Sequence, residues 1–161
     1  MRLALLTTDT PHHRWWATRL AEHHPIDVIV VEAPPQDRHP ISHLEFERER
    51  QEYEALIWGT VSAADFGSLA PTVYVEGVND HGTLAATAQC DLAVSFGTTK
   101  MDTAVVTTLR GRLANLHGGD PERYRGLDSH LWAIVDDAFD ALVTTLHEVD
   151  ETLDTGGIVE R

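Results

Sequence analysis

Asn115 and His117 stand two residues apart at the end of an apolar run, and Gly118 and Gly119 follow at once. In a strand, residues i and i+2 share a face, so an amide and a titratable imidazole emerge side by side. If that strand is buried in a parallel sheet, its carboxyl end is where such sheets place their ligands. The two glycines let the backbone leave steeply and leave room for a substrate. Such a placement suits chemistry better than packing, although the spacing alone fits equally a pair that closes a strand end with hydrogen bonds. Further on, Asp154 sits in Leu-Asp-Thr-Gly-Gly, a carboxylate on a glycine-punctuated loop just after a strand that carries His147. Taken alone, that stretch reads as a solvated acidic loop.

Other chemistries lack their signatures. Ser95-Phe-Gly-Thr-Thr-Lys100 follows a strand but does not have the glycine and lysine order of a phosphate loop, and no G-x-G-x-x-G lies near the first strand. Ten histidines raise the question of a metal, with His12, His13, His23, His24, His117, His130 and His147 as the candidates. None forms an H-E-x-x-H arrangement, and adjacent pairs on a helix point apart, so solvated or hydrogen-bonded histidines are expected and no metal. A nucleophile elbow of the form G-x-S-x-G is also missing. Cys90 is the single cysteine, which excludes an intrachain disulfide and thiolate zinc clusters and reads as a small buried hydrophobe.

The 161 residues suit one domain with one core. Twenty-six acidic residues against 12 basic ones give a formal charge of −14, and Lys100 is the single lysine. Phosphate backbones are repelled by such a surface, which argues against nucleic acid as a partner. No apolar run is long enough to cross a bilayer, and the opening Met-Arg-Leu-Ala-Leu-Leu has too short an apolar core for a signal peptide. The expectation is a cytoplasmic protein without membrane contact.

The elements that must position Asn115, His117 and Asp154 follow from periodicity. Strands are expected over 2–8, 26–33, 72–78, 91–97, 112–117 and 141–149, and Gly157-Ile-Val looks like the opening of another. Helices are expected over 11–24, over a charged, mostly solvated 43–59, over 81–90, and over 102–111 with Asp102 as cap. A proline-rich loop spans 33–42, and 127–138 is amphipathic with Leu131, Trp132, Ile134 and Val135 on one side. The alternation of strand and helix gives an α/β fold with a mostly parallel central sheet and helices on both faces.

Four ordered elements then carry a resemblance: Asn115-Leu-His117, Tyr124-Arg-Gly126, Thr145-Leu-His147 and Leu153-Asp-Thr-Gly156. In this order and spacing they resemble the folate-dependent formyltransferases, over essentially the whole chain and most firmly from about residue 91 onward. The resemblance implies a Rossmann-like formyltransferase fold and transfer of a formyl group from 10-formyltetrahydrofolate, the co-substrate, to an amine. It assigns Asn115 as donor to the developing oxyanion, His117 as an assisting cationic donor, and Asp154 as the group that holds His117 and relays protons. His147 supports Asp154. The pterin is expected against main-chain groups at Phe96, Gly97, Val149, Asp150 and Leu153.

His-Gly-Gly-Asp after the Asn-x-His looks closest to the sugar N-formyltransferases, so the implied acceptor is the amino group of a nucleotide-linked amino sugar. The alternatives are methionyl-tRNA or glycinamide ribonucleotide as acceptor, or a non-catalytic folate-binding module of the same fold. Family members usually continue past this point. Residues 1–161 are therefore expected to be a catalytic domain lacking a C-terminal extension, with part of the acceptor site and a homodimer contact beyond it.

Overall fold

The computed structural model describes residues 1–33 and 44–161, with the backbone alone for 44–47. From residue 34 on, the proline-rich loop lies outside the described residues. Strands β1 (Leu3–Thr8), β2 (Val28–Glu32), β3 (Thr72–Val75), β4 (Leu92–Phe96), β5 (Leu113–His117), β6 (Thr145–Glu148) and β7 (Ile158–Glu160) make one sheet in the order β3-β2-β1-β4-β5-β6-β7. The first five run parallel, and β6 and β7 are antiparallel to their neighbours. The chain winds outward from β1 to β3 and then returns to the other side of β1 at β4. That reversal creates a crevice at the carboxyl ends of β1 and β4, the place where open α/β sheets take ligands.

All six residues of β1 are buried, because the strand is covered on both faces. Leu3 and Leu5 pack with Ile29, Val31, Phe66 and Val94 under helix α1 (Pro11–His23), whose Ala17, Trp16 and Leu20 join that cluster. Ala4 and Leu6 point the other way, to Val30, Val75, Leu113 and the Val105, Val106 and Leu109 of helix α4 (Thr103–Thr108) and its following turn. Leu84 and Ala86 of helix α3 (His81–Thr87) cover the same face. Each fully buried leucine stabilises this sandwich by about 2 kcal/mol. Helix α1 is started by Thr10, whose hydroxyl accepts the His13 N–H at 3.3 Å, with Pro11 in the first turn. Asp102 caps α4 as expected, accepting the Val105 N–H at 2.9 Å.

Helix α2 (Leu44–Trp58) packs on α1 and is mostly solvated, as expected; from residue 48 on it buries Glu54, while Tyr53, Leu56 and Ile57 are exposed. Two segments differ from the sequence reading. Strand β6 starts at Thr145, not at Ala141, because β5 ends at His117 opposite Thr145 and offers nothing earlier to pair with. Residues Phe139–Ala141 form a 3-10 turn instead, with Ala138 and Ala141 packed on Ala133 and Tyr124. Helix α5 (Ser129–Val135) buries Ser129 and Ala133, and its Leu131, Trp132, Ile134 and Val135 are exposed. Small residues win the inner side because the helix lies close against the end of β5.

Candidate active site

Strand register assembles the site. Ser95 of β4 is the partner of Asn115 of β5, and Asn115 is the partner of His147 of β6. Residues directly opposite in a sheet share a face, so these three side chains form a row. The Ser95 hydroxyl donates to Asn115 Oδ1 at 2.8 Å, and Asn115 Nδ2 lies 3.2 Å from His147 Nε2. Two pairs along, His117 stands opposite Thr145, whose hydroxyl donates to the Gly119 carbonyl at 2.8 Å and pins the chain where it leaves the strand. The Asn-x-His and Thr-x-His spacings are thus two antiparallel rungs.

The third side chain arrives from the loop between β6 and β7. Asp154 adopts a left-handed backbone conformation (φ 51°), which Asp tolerates better than most residues. Its Oδ2 lies 3.6 Å from His117 Nδ1 and its Oδ1 lies 3.5 Å from His147 Nε2. The Gly126 N–H donates to Oδ2 at 2.7 Å. His117 Nε2 donates to the Tyr124 carbonyl at 3.1 Å. The Tyr-Arg-Gly turn therefore supplies one main-chain acceptor and one main-chain donor, and Gly126 can do so because it takes φ +80°. The side chains of His117, His147 and Asp154 are all under one-tenth exposed.

Charge is shared among these groups. Burial would raise the Asp154 carboxyl, but the His147 imidazole, the Gly126 amide and the His117 ring outweigh it and hold it below the usual carboxylate range. His147 moves in the complementary direction. Burial opposes its charge, yet Asp154, the Glu148 carbonyl and Asp150 together push it above the ordinary imidazole value. The arrangement offers an amide donor, an imidazole between two oxygens, and a carboxylate between two imidazoles, the set needed to stabilise an oxyanion and move a proton.

A small cleft of about 70 Å³ opens between these groups, lined by Ser95, Asn115, His147, Asp154 and the 98–101 turn after β4. Val149, Asp150 and Leu153 line it too. A wider cleft of about 750 Å³ adjoins it through Val149, Asp150 and Thr152. Phe96 turns the other way: its ring packs on His12, His13 and Trp16 on the α1 side. Gly97 takes φ +75° and starts the turn, with the His13 ring filling the space where a side chain would stand. The room made by Gly118 and Gly119 goes to α5. A Cβ on Gly118 would lie 3.2 Å from His130 Nδ1, and one on Gly119 would lie 2.9 Å from Ser129 Cβ.

Several contributors were not visible from local sequence. Ser95 shows itself only through cross-strand register. Glu32 at the end of β2 is 2% exposed and accepts from the Val78 N–H, the Thr99 N–H and the Thr99 hydroxyl, so it fixes the 98–101 turn from below. Lys100, the lone lysine, lines the cleft on that turn. Among the described residues no three His, Cys, Asp or Glu side chains converge as a metal site requires, and no helix is long and apolar enough to cross a membrane.

No protein-family model matches the sequence, and no curated protein matches it. Solved structures do share the fold. The chain is similar to phosphoribosylglycinamide formyltransferase from Anaplasma phagocytophilum at 19% identity and TM-score 0.61, over 99% of this chain and 69% of that one. The same enzyme from Bacillus halodurans matches at 14% identity and TM-score 0.61, over 98% of this chain and 77% of that one. PseJ from Anoxybacillus kamchatkensis, a formyltransferase solved with UDP-4,6-dideoxy-4-formamido-L-AltNAc and tetrahydrofolate, matches at 20% identity and TM-score 0.54, over 99% of this chain and 59% of that one. The fold is the Rossmann-like fold of these formyltransferases.

Proposed function

We propose that this chain carries the catalytic centre of a formyltransferase that moves a formyl group from 10-formyltetrahydrofolate to the amino group of a nucleotide-linked amino sugar. The observation that carries the reading is the meeting of Asn115 and His117 of β5 with Asp154 of the β6–β7 loop, Asn115 and Asp154 lining one cleft of a formyltransferase fold and His117 lying against Asp154.

The reaction requires a neutral amine to attack the formyl carbon. A carbon–nitrogen bond forms, the carbonyl oxygen becomes an oxyanion, and the bond to the folate nitrogen then breaks as that nitrogen gains a proton. In this reading an Asn115 Nδ2–H faces the oxyanion, and the His117 ring, set between the Tyr124 carbonyl and Asp154, assists from beside it; preorganised donors of this kind act strongly. Asp154, whose Oδ2 takes the Gly126 N–H, receives the proton lost from the attacking nitrogen and returns it to the leaving nitrogen. Residues Val149, Asp150 and Leu153 are the pterin contacts, and Gly97 is the turn that brings 98–101 to it. The adjoining cleft, walled further by Val106 and Leu113, has the size of a site for a bicyclic ring and its tail.

Three features support the amino-sugar acceptor over the alternatives. The formal charge of −14 opposes a tRNA. A UDP-sugar product lies in one of the solved relatives. The turn from β1 to α1 contains Asp9 paired with Arg14 at 3.1 Å, and no glycine precedes Gly59, so this carboxyl end has no glycine cradle for a phosphate close to the amine. The test is a steady-state assay with 10-formyltetrahydrofolate against UDP- and dTDP-linked amino sugars, glycinamide ribonucleotide and methionyl-tRNA. Turnover confined to the amino sugars supports the reading; turnover with either other acceptor overturns the acceptor, and folate binding without any turnover points to a binding module.

A further inference from the structure

We propose that His147 sets the direction of the Asn115 amide, so that an N–H is presented to the cleft only while the His147 ring is neutral. The proposal rests on the formyl-transfer reading for its consequence, but not for its geometry. An asparagine amide has a donor end and an acceptor end, and here each has one buried neighbour. Oδ1 takes the Ser95 hydroxyl at 2.8 Å, and Nδ2 stands 3.2 Å from His147 Nε2. The other ring nitrogen, Nδ1, is 2.7 Å from the Glu148 carbonyl, which can only accept, so Nδ1 carries a proton. In the neutral ring Nε2 is therefore bare. It accepts one Nδ2–H, and the second amide hydrogen remains for the cleft.

Protonation of His147 reverses this. An N–H on Nε2 confronts the Nδ2 donor at 3.2 Å, and the conflict disappears if the amide turns over. Oδ1 then accepts from Nε2, and Nδ2 donates to Ser95 Oγ. Ser95 permits the exchange because its hydroxyl has a second acceptor, the Ala114 carbonyl at 3.4 Å. Ser95 and His147 are each 2% exposed, so water does not substitute for either partner. Turned over, Asn115 shows the cleft an oxygen where an N–H is needed, and a developing oxyanion is repelled.

Four groups bear on the His147 charge. From the β6–β7 loop, Asp154 Oδ1 lies 3.5 Å from Nε2 and Asp150 adds a second negative charge. From β5, the His117 ring stands 6.1 Å away between centroids. From β6 itself comes the Glu148 carbonyl at Nδ1. His147 is thus a positioning residue that acts through Asn115.

Two measurements on the full chain test this. First, ¹⁵N spectra of the free protein follow His147 Nε2 and the Asn115 side-chain amide through a pH titration. The expected result is that both change together at one midpoint, with Nε2 bare at the pH of highest turnover. Independent titration, or a protonated Nε2 at that pH, overturns the proposal. Second, His147→Gln offers Asn115 an acceptor that does not titrate. It is expected to lower kcat more than it changes the KM for the folate, and to lose the acidic limb of kcat that falls at the shared midpoint. Retention of that limb in the variant overturns the proposal. If wild type transfers no formyl group to any acceptor, the functional reading fails, while the spectra of the free protein still decide the geometry.

Discussion

Asn115 is held at both ends of its amide, by Ser95 and by His147, so its geometry is fixed before any ligand arrives. Preorganised donors of this kind are worth about 3 kcal/mol to a transition state. Asn115→Ala should accordingly lower kcat by a factor of about 100 with little change in the KM for the folate, as steady-state kinetics would show. Asp154 fills a second role besides proton transfer, because its Oδ2 takes the Gly126 N–H and faces His117. Asp154→Asn keeps the size and removes the charge. It should lower kcat at least as far as Asn115→Ala, while thermal unfolding moves only slightly; kinetics near wild type in this variant would remove the proposed proton route.

At the scale of elements, the loop from β6 to β7 places Asp154, and one glycine decides its path. A Cβ on Gly156 would stand 1.8 Å from the Glu148 carbonyl oxygen, so Gly156→Ala must move the backbone two residues from Asp154. The expected outcome is a turnover loss comparable to losing the carboxylate, with the fold retained by circular dichroism. Gly97→Ala strikes the turn after β4: it takes φ +75° and would put Cβ 2.2 Å from the His13 ring. Left-handed strain and the clash together should cost roughly 2–4 kcal/mol in denaturant unfolding. The strands of the parallel half were legible in the sequence, because a strand covered on both faces reads as an unbroken apolar run. The shared face of Asn115 and His117 was legible from their spacing, whereas Asp154 stood out only through the resemblance, because alone its stretch reads as a solvated acidic loop. Less legible was anything set by a partner: the start of β6 depends on where β5 ends, and Ser95 reaches Asn115 only through register. Helix α5 misled for a related reason, since which side of a short helix is covered depends on what lies beside it, and there it is Ser129 and Ala133 that meet the strand end.

For the molecule as a whole, the titrating group with the largest resolved effect on stability among the described residues lies outside the cleft. His13 is 5% exposed; burial first, and the neighbouring His12 charge second, bring it from 6.5 to about 3. Between those values the unfolded chain binds the proton and the folded chain does not, so stability falls as the pH drops through that window. The loss should reach about 2 kcal/mol at pH 5 relative to pH 7, read from denaturant midpoints. His147 offsets part of it on the first stretch down from pH 7, because its raised value makes its contribution grow until the pH lies below the ordinary imidazole value; from there down that contribution is constant. His13→Asn should flatten the pH dependence in this range, and an unchanged slope would assign the acid sensitivity to other groups.

Lys100 brings a practical corollary. With a lone lysine at the mouth of the cleft, an amine-selective reagent has one internal address besides the chain's own amino terminus. Acylation or reductive methylation followed by mass spectrometry then becomes an occupancy gauge: any small molecule that settles against the 98–101 turn slows the labelling, whether or not it is ever turned over, and so a compound collection can be ranked without an assay for product.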